Sequence, residues 1–286
     1  MSASASPAQT RHTVGSLLAA ARAAGVDRLD AHVLLGHVLA RPRAWLIAHE
    51  DAPVDLVPAA AMASLLQQRA RGVPVAYLVG EREFHGLMLK VRPDVLVPRP
   101  ETELLVDWAL ELVAPDHAAE VADLGTGSGA IALALRHHRP LVQVTAVDID
   151  PAALTVAREN ARRLGLPVTF VSGRWLSELA GCRFDLIVSN PPYVDADDPH
   201  LQALTAEPLH ALTPGPDGLA SLREIVRAAP AHLRPGGWLL LEHGHAQADA
   251  VQALLAAHGF SDIRTRPDLA GLPRCTGGRL PPAASA

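Results

Sequence analysis

From residue 119 to 258 the chain alternates short apolar runs with helical patterns, and no other property restricts its fold as much. The runs are Ala119–Leu124, Val142–Val147, Val168–Val171, Phe184–Ser189 and Gly237–Glu242. Between them, apolar residues at helical spacing cover about Ala130–Arg136, Ala152–Leu164, Leu219–Leu233 and Ala246–His258. Repeated strand-then-helix order predicts an α/β fold with a parallel sheet covered on both faces, because each crossover returns the chain to the same end of the sheet. Two further strands, Phe260–Arg266 and Arg274–Leu280, are expected to close that sheet as an antiparallel hairpin. With 286 residues, 49% of them hydrophobic, the chain has apolar material for this core and for a second unit.

That second unit comes first in the chain. Up to residue 76 the sequence reads as helices only. Thr13–Ala24 places Leu17, Leu18 and Ala21 on one face, and a helix capped near Asp27 carries Leu29, Val33, Leu34 and Val38 before Pro42 ends it. A short segment around Trp45 follows, then a helix opened by Pro58 and running from Ala59 to about Arg71, stopped by Gly72 and Pro74. No chemical motif lies inside, so packing or partner binding is the work open to it. From Tyr77 to Val97 the apolar period changes to two, through Phe84, Leu87, Leu89 and Val91, then Val95 and Val97 after the Arg92-Pro93-Asp94 turn signal. The expected organisation is a helical unit over 1–76, a β-hairpin linker over 77–97 and an α/β unit over 98–286. Pro98 to Glu103 starts the helix that opens the last unit, with Leu104, Trp108 and Leu112 on one face.

Several function classes drop out on composition. Cys182 and Cys275 stand far apart with no C-x-x-C pair, which supports neither a disulfide framework nor a structural zinc site and suits a reducing, cytoplasmic setting. No apolar run approaches the ~20 residues of a membrane span. The first 26 residues hold Arg11 and Arg22 but no acid, a composition shared with organellar transit peptides, and the plainer reading is a short unstructured leader from Met1 to about Gln9. His137 with His138, and His243 with His245, are read as surface or loop histidines and not as metal ligands, since no third ligand accompanies either pair.

Three motifs carry chemistry. Asp123-Leu124-Gly125-Thr126-Gly127-Ser128-Gly129 stands directly after a strand and directly before a helix, where glycines allow a sharp turn and let a ligand approach helix N-terminal amides. Its G-x-G-x-G spacing is not the G-x-G-x-x-G of dinucleotide binders. Asp148 ends the next strand, about 20 residues on, where a carboxylate accepts hydrogen bonds from the two hydroxyls of a ribose; Asp150 reads as the cap of the helix opening at Pro151. Ser189-Asn190-Pro191-Pro192-Tyr193 follows the apolar strand Phe184–Val188. Two prolines end the ladder and present carbonyls without neighbouring N–H groups, Asn190 adds a side-chain carbonyl, and Tyr193 adds a ring for stacking. Together these form a clamp for a planar amide or amine, with the Asn190 oxygen and the Pro191 carbonyl each accepting one N–H.

These residues resemble the Rossmann-like S-adenosylmethionine-dependent methyltransferases that methylate amino groups. A narrower resemblance covers nearly the whole chain. Arg82-Glu83-Phe84, Pro98 to Glu103, Asp123 to Ala130, Glu207-Pro208-Leu209 and Leu239 to Gly244 stand in the order found in bacterial peptide chain release factor glutamine N5-methyltransferases. The resemblance implies a seven-stranded, mostly parallel sheet with a C-terminal antiparallel hairpin behind a small helical domain. It implies S-adenosyl-L-methionine as cofactor and the Gly-Gly-Gln loop of class I release factors as substrate, with an effect on translation termination. By the same resemblance Gly125, Thr126, Gly127, Ser128 and Gly129 line the cofactor's methionine and ribose, Asp148 the ribose and Trp175 the adenine neighbourhood. Asn190 serves cofactor and substrate alike, and Asn190, Pro191, Pro192 and Tyr193 hold the glutamine, with Asn190, Pro191 and Tyr193 at the reacting nitrogen. Arg174 departs from the pattern, standing where the family often has an acid before the aromatic residue. For Glu101, Thr102 and Glu103 two readings stay open, cofactor contact or helix capping.

Charge bears on the alternative, an amino-methyltransferase acting on adenine or cytosine of nucleic acid or on another protein glutamine. The chain has 25 basic and 30 acidic residues. Residues 1–90 hold nine and seven of these, which leaves 16 and 23 for residues 91–286, a net −7 on the α/β part. Phosphate neutralisation supplies most affinity for nucleic acid, so that balance argues against a phosphate-tracking groove. A protein substrate, docked with help from the near-neutral helical unit onto a monomer, is the expectation. A cofactor sensor without turnover is the competing class, and loss of turnover with retained cofactor binding on Asn190→Ala separates the two.

Overall fold

Where short polar residues precede apolar periodicity, helices begin, and the helical unit illustrates this. The structure, a computed structural model, describes residues 12–282; the expected leader and residues 283–286 of the Pro/Ala/Ser tail lie outside the described residues. The chain divides into two compact units, one ending at Gly80 and one starting at Glu81. In the first, β1 (His12–Thr13) runs into α1 (Val14–Ala23), whose N-terminus Thr13 caps by accepting the Ser16 amide at 3.2 Å while Ser16 returns the bond. Asp27 caps α2 (Arg28–Leu39) by accepting the Leu29 amide at 2.7 Å. Then follow α3 (Arg43–Ala48), β2 (Pro53–Val54), α4 (Leu56–Ala70) and α5 (Val75–Val79). Val14, Leu17, Leu34, Leu35, Leu46, Met62 and Leu66 form their shared core.

This unit corrects the sequence reading in detail. It is not helices alone, since β1 and β2 pair antiparallel. On α2 the buried apolar face is Ala31, Leu34 and Leu35, while Leu29 and Val33 are exposed. Helix α4 starts two residues before Pro58, which a first turn tolerates because its missing N–H has no helical partner there.

The hairpin is shorter than expected and belongs to the second unit. It comprises β3 (Glu81–Phe84) and β4 (Leu87–Lys90), joined through His85-Gly86, both with positive φ as a two-residue type I′ turn demands. Tyr77 lies in α5, and Val95 and Val97 form no strand: the Val95 amide closes a turn onto the Arg92 carbonyl and the Val97 amide donates to Glu207. The buried Asn160 side chain ties the hairpin down, accepting the Lys90 amide at 2.7 Å and donating to the Lys90 carbonyl at 3.0 Å.

After a 3-10 turn at Pro100–Thr102, the elements are α6 (Glu103–Leu112), β5 (Glu120–Leu124), α7 (Ala130–His138), β6 (Gln143–Asp148), α8 (Pro151–Leu164), β7 (Thr169–Ser172) and β8 (Phe184–Ser189). Then come α9 (Ala220–Ala228), β9 (Leu233–Glu242), α10 (Ala248–Ala257), β10 (Ser261–Pro267) and β11 (Pro273–Arg279). One seven-stranded sheet results, in the order β10-β11-β9-β8-β5-β6-β7. Its pairs from β9 to β7 are parallel, and β11 joins β9 and β10 antiparallel, the closing hairpin that the sequence led one to expect. Strand alternation divides the core between the two faces. Val121, Leu186 and Leu240 pack with Leu105, Trp108, Ile131 and Leu133, whereas Ala122, Ile187, Leu239 and Leu241 pack with Leu222, Ile225, Val251 and Leu255.

Candidate active site

Register brings the candidate residues together. Leu124 at the end of β5 pairs with Val147 on one side and Ser189 on the other. Gly125, Asp148 and Asn190 therefore leave the sheet side by side at its carboxyl edge. The winding reverses at β5, which continues to β6 and β7 on one side before the chain crosses to β8 and β9. Open α/β sheets bind ligands at such a switch point.

The glycine loop is held largely by its own neighbourhood. Gly125, Gly127 and Gly129 have φ of 74°, 54° and 84°, the left-handed region that side chains disfavour. A Cβ on Gly125 would lie 3.2 Å from the Trp175 ring, and one on Gly129 3.1 Å from the Leu133 side chain. The Gly125 and Thr126 amides donate to the Val147 carbonyl, and the Gly127 amide donates to Asp148 Oδ2 at 2.8 Å. Asp148 Oδ1 accepts the Asp150 amide at 3.0 Å, so the carboxylate braces the loop through both oxygens, with acceptor capacity left beyond these two bonds. Burial outweighs these two hydrogen bonds and raises its carboxyl above the ordinary value. Beneath the loop, Asp123 Oδ2 accepts the Thr126 hydroxyl at 2.6 Å and the Ala132 amide at 3.1 Å, while Oδ1 is buried without a hydrogen-bond partner. Complete burial pushes the Asp123 carboxyl up to about 7.

A cavity of about 310 Å³ opens at this edge, at the lower end of the volumes that hold small-molecule ligands. Of the expected residues, Gly125, Gly127, Asp148, Trp175, Asn190 and Pro192 line it, with Ile149 and residues of the segments 94–96 and 210–214. The other expected residues stand behind the wall. Thr126 spends its hydroxyl on Asp123, the Ser128 carbonyl accepts from Asn160 at 3.0 Å, and Gly129 caps α7. Pro191 is buried, and Tyr193 packs into the core cluster beneath α9 and α10 with its hydroxyl turned to Glu242. Trp175 adopts φ 52°, rare outside glycine, and lays its ring over Gly125. Arg174 grips Glu224 of α9 through two nitrogens, at 3.0 and 2.6 Å, so the departure from the family pattern is answered by a carboxylate from another element.

Asn190 is oriented by residues distant in sequence. Its Nδ2 donates to Thr102 Oγ1 at 3.0 Å, and the Tyr193 hydroxyl donates to Glu242 Oε1 at 3.1 Å. Thr102 and Glu242 are both buried. Desolvation, opposed by the Thr102 and Tyr193 hydroxyls, pushes the Glu242 carboxyl up to about 7, and burial and that carboxylate raise the Tyr193 phenol in turn. Of the capping reading of the 101–103 stretch, the structure shows that Thr102 makes no capping bond at the start of α6 and that the Glu103 carboxylate accepts the His85 amide at 3.0 Å. Glu207 is a further buried acid: it accepts the Val97 amide at 3.1 Å and Arg99 Nη2 at 2.5 Å, joining the two segments that flank the cavity. Sequence reasoning assigned no role to Glu207 or Glu242 and held no hint that Thr102 pairs with Asn190; their place in the family-like motifs was the signal available. His243 corrects the surface reading of the histidines, since it is fully buried with Nε2 2.7 Å from Thr276 Oγ1.

Comparison with known proteins covers both units. Residues 11–80 match the family model described as PrmC N-terminal domain, and residues 101–217 match that of the methyltransferase small domain. A release factor glutamine methyltransferase from Xylella fastidiosa (strain Temecula1) is 51% identical over 269 residues, covering 92% of this chain and 97% of that protein. Its namesake from Burkholderia pseudomallei is 49% identical over 269 residues, covering 91% and 94%. Among solved structures, a methyltransferase from Pyrococcus furiosus shares the fold, with TM-score 0.54 and 20% identity over 68% of this chain and 90% of that one.

Proposed function

Since this chain belongs to the family of release factor glutamine methyltransferases, we propose that it methylates the side-chain amide nitrogen (N5) of the glutamine in the Gly-Gly-Gln loop of class I peptide chain release factors, with S-adenosyl-L-methionine as donor. The enzyme then acts in the cytoplasm, as a monomer, on translation termination. One observation carries the reading: Asn190 lines the cavity with its Nδ2 already bonded to Thr102, which leaves Oδ1 as the group offered to an N–H donor.

The residues present fit the cofactor. Side-chain-free Gly127, with open space where a Cβ would stand, leaves room along the cavity wall for a ligand to approach the backbone, and Asp148 retains acceptor capacity for ribose hydroxyls. The buried carboxyls of Asp123 and Asp148, both raised, make the loop a place where a cationic ligand is favoured. Held by these residues, S-adenosylmethionine would supply an electrophilic methyl for the glutamine nitrogen, with a neutral thioether and one proton as the other products.

The protein's share of the work is orientation. An amide nitrogen is a poor nucleophile because its lone pair is delocalised into the carbonyl. Asn190 Oδ1 and the Pro191 carbonyl, each accepting one N–H, fix the amide plane, aim that lone pair at the methyl group and stabilise the positive charge that grows on nitrogen. Neither Pro191 nor Pro192 has an N–H to compete for those acceptors. Tyr193, pinned by Glu242 and packed on the core, fixes the far end of the Asn190–Tyr193 stretch that carries both acceptors.

The experiment is transfer of labelled methyl from S-adenosylmethionine to a release factor, to its Gln→Ala variant and to duplex DNA. Label on the native factor alone is expected. Label on DNA, or equal label on the Gln→Ala factor, contradicts the reading.

A further inference from the structure

An asparagine side chain has nearly the same shape whichever way its amide points, so packing alone leaves oxygen and nitrogen interchangeable. A clamp that accepts substrate N–H groups works in one orientation only; the flipped amide sets donor against donor. Thr102 accepts from Asn190 Nδ2 at 3.0 Å, but a hydroxyl both donates and accepts and would serve either orientation. Something must fix the direction of the Thr102 hydroxyl in turn.

Glu242 is placed to do so. Its ionised carboxylate accepts and never donates. Oε1 already takes the Tyr193 hydroxyl at 3.1 Å, and Oε2 is buried with no partner of normal hydrogen-bond geometry. The Thr102 side chain lies beside this carboxylate, near enough to lower its proton affinity. A hydroxyl whose oxygen already accepts from Asn190 has one proton to give, and the unpartnered carboxylate oxygen is the acceptor at hand. A buried carboxylate without a cation bonded to it is costly to keep, and here it sits next to two residues of the clamp.

We propose that Glu242 and Thr102 act as positioning residues, a directional chain of hydrogen bonds that holds Asn190 with Oδ1 toward the substrate amide while Glu242 also anchors Tyr193. The inference rests on the reading of Asn190 as acceptor for the glutamine amide. It gives the chain a pH signature. The groups facing Glu242 are Tyr193, Thr102, Glu101 and, from β11, Arg274 and Cys275; burial and Glu101 favour its protonated form, while the two hydroxyls and Arg274 favour the anion. Once protonated, Glu242 can itself donate, and the direction of the chain is lost.

Thr102→Val, Thr102→Ser and Glu242→Gln, made in the full-length protein, test this. Losing one orienting hydrogen bond should lower kcat on a release factor roughly tenfold in Thr102→Val, with cofactor Kd within about twofold of wild type. Thr102→Ser should restore most of the activity. Wild type should lose activity as pH falls through about 7, and Glu242→Gln should abolish that limb while lowering the plateau. The side-chain amide NMR signals of 15N-labelled Asn190 give a readout that needs no substrate: they should shift with pH in wild type and not in Glu242→Gln. Full activity in Thr102→Val, a matching loss of cofactor affinity, or an unchanged pH response in Glu242→Gln overturns the proposal. If wild type methylates no release factor, the functional reading fails while the NMR titration still decides the chain of bonds.

Discussion

The two loops that build the site are held in opposite ways. After β5, the glycine loop is secured by partners three, nine and 21 residues away, Thr126 and Ala132 on Asp123 and Gly127 on Asp148. After β8, the Asn190–Tyr193 stretch is secured by partners 88 and 49 residues away, Thr102 and Glu242. The first is a local structure that any chain with these residues in this order would tend to form. The second exists only once the whole sheet has assembled. Cofactor binding should therefore survive damage to the second loop, and turnover should not.

The largest expected effect follows directly. Asn190→Ala removes an acceptor aimed at developing charge, so kcat should fall by roughly 10²–10³, with cofactor Kd, measured calorimetrically, changed far less. Comparable losses in both would erase the contrast between the loops. In the other direction, Gly125→Ala sets a methyl 3.2 Å from the Trp175 ring at a φ of 74°, and the strain of about 1–3 kcal/mol should weaken cofactor binding by roughly 5- to 150-fold.

Asp123 sharpens the comparison through stability. Its carboxyl is raised by burial from 3.8 to about 7, so the folded protein holds a proton that the unfolded chain releases. That stabilisation is complete below the unfolded value and is lost as pH rises through about 7. Chemical denaturation of the free protein should show stability declining across this window, Asp123→Asn should flatten the decline, and saturating cofactor should shift the window downward. The smallest effect is expected at Arg174. Its pair with Glu224 is largely exposed, so Arg174→Ala should change cofactor affinity by less than about threefold. A larger change would bring this surface pair into adenine recognition beside Trp175.

These contrasts also explain what could be read in the sequence. Strand alternation, the glycine loop and Asp148 depend on residues close together, and their signals survive in one dimension. Val95 and Val97 kept a strand-like period although the Val97 amide goes to Glu207, 110 residues on, a partner no local window reveals. The same holds for Thr102, which sits where capping residues sit yet accepts from Asn190. Tyr193 offered a ring for stacking, but the structure spends its hydroxyl on Glu242 and its ring on the core. His137 and His243 looked alike as members of histidine pairs, but His243 directly follows β9 and is fully buried, with Nε2 on Thr276 Oγ1.

Mass-spectrometric localisation of the methyl group tests the central claim most directly. A release factor incubated with this enzyme and S-adenosylmethionine should gain one methyl, on the side-chain nitrogen of the glutamine in its Gly-Gly-Gln loop, and Asn190→Ala enzyme should leave the factor unmodified. A methyl on any other residue of the factor, or an unmodified factor after incubation with cofactor-saturated wild-type enzyme, would contradict the account.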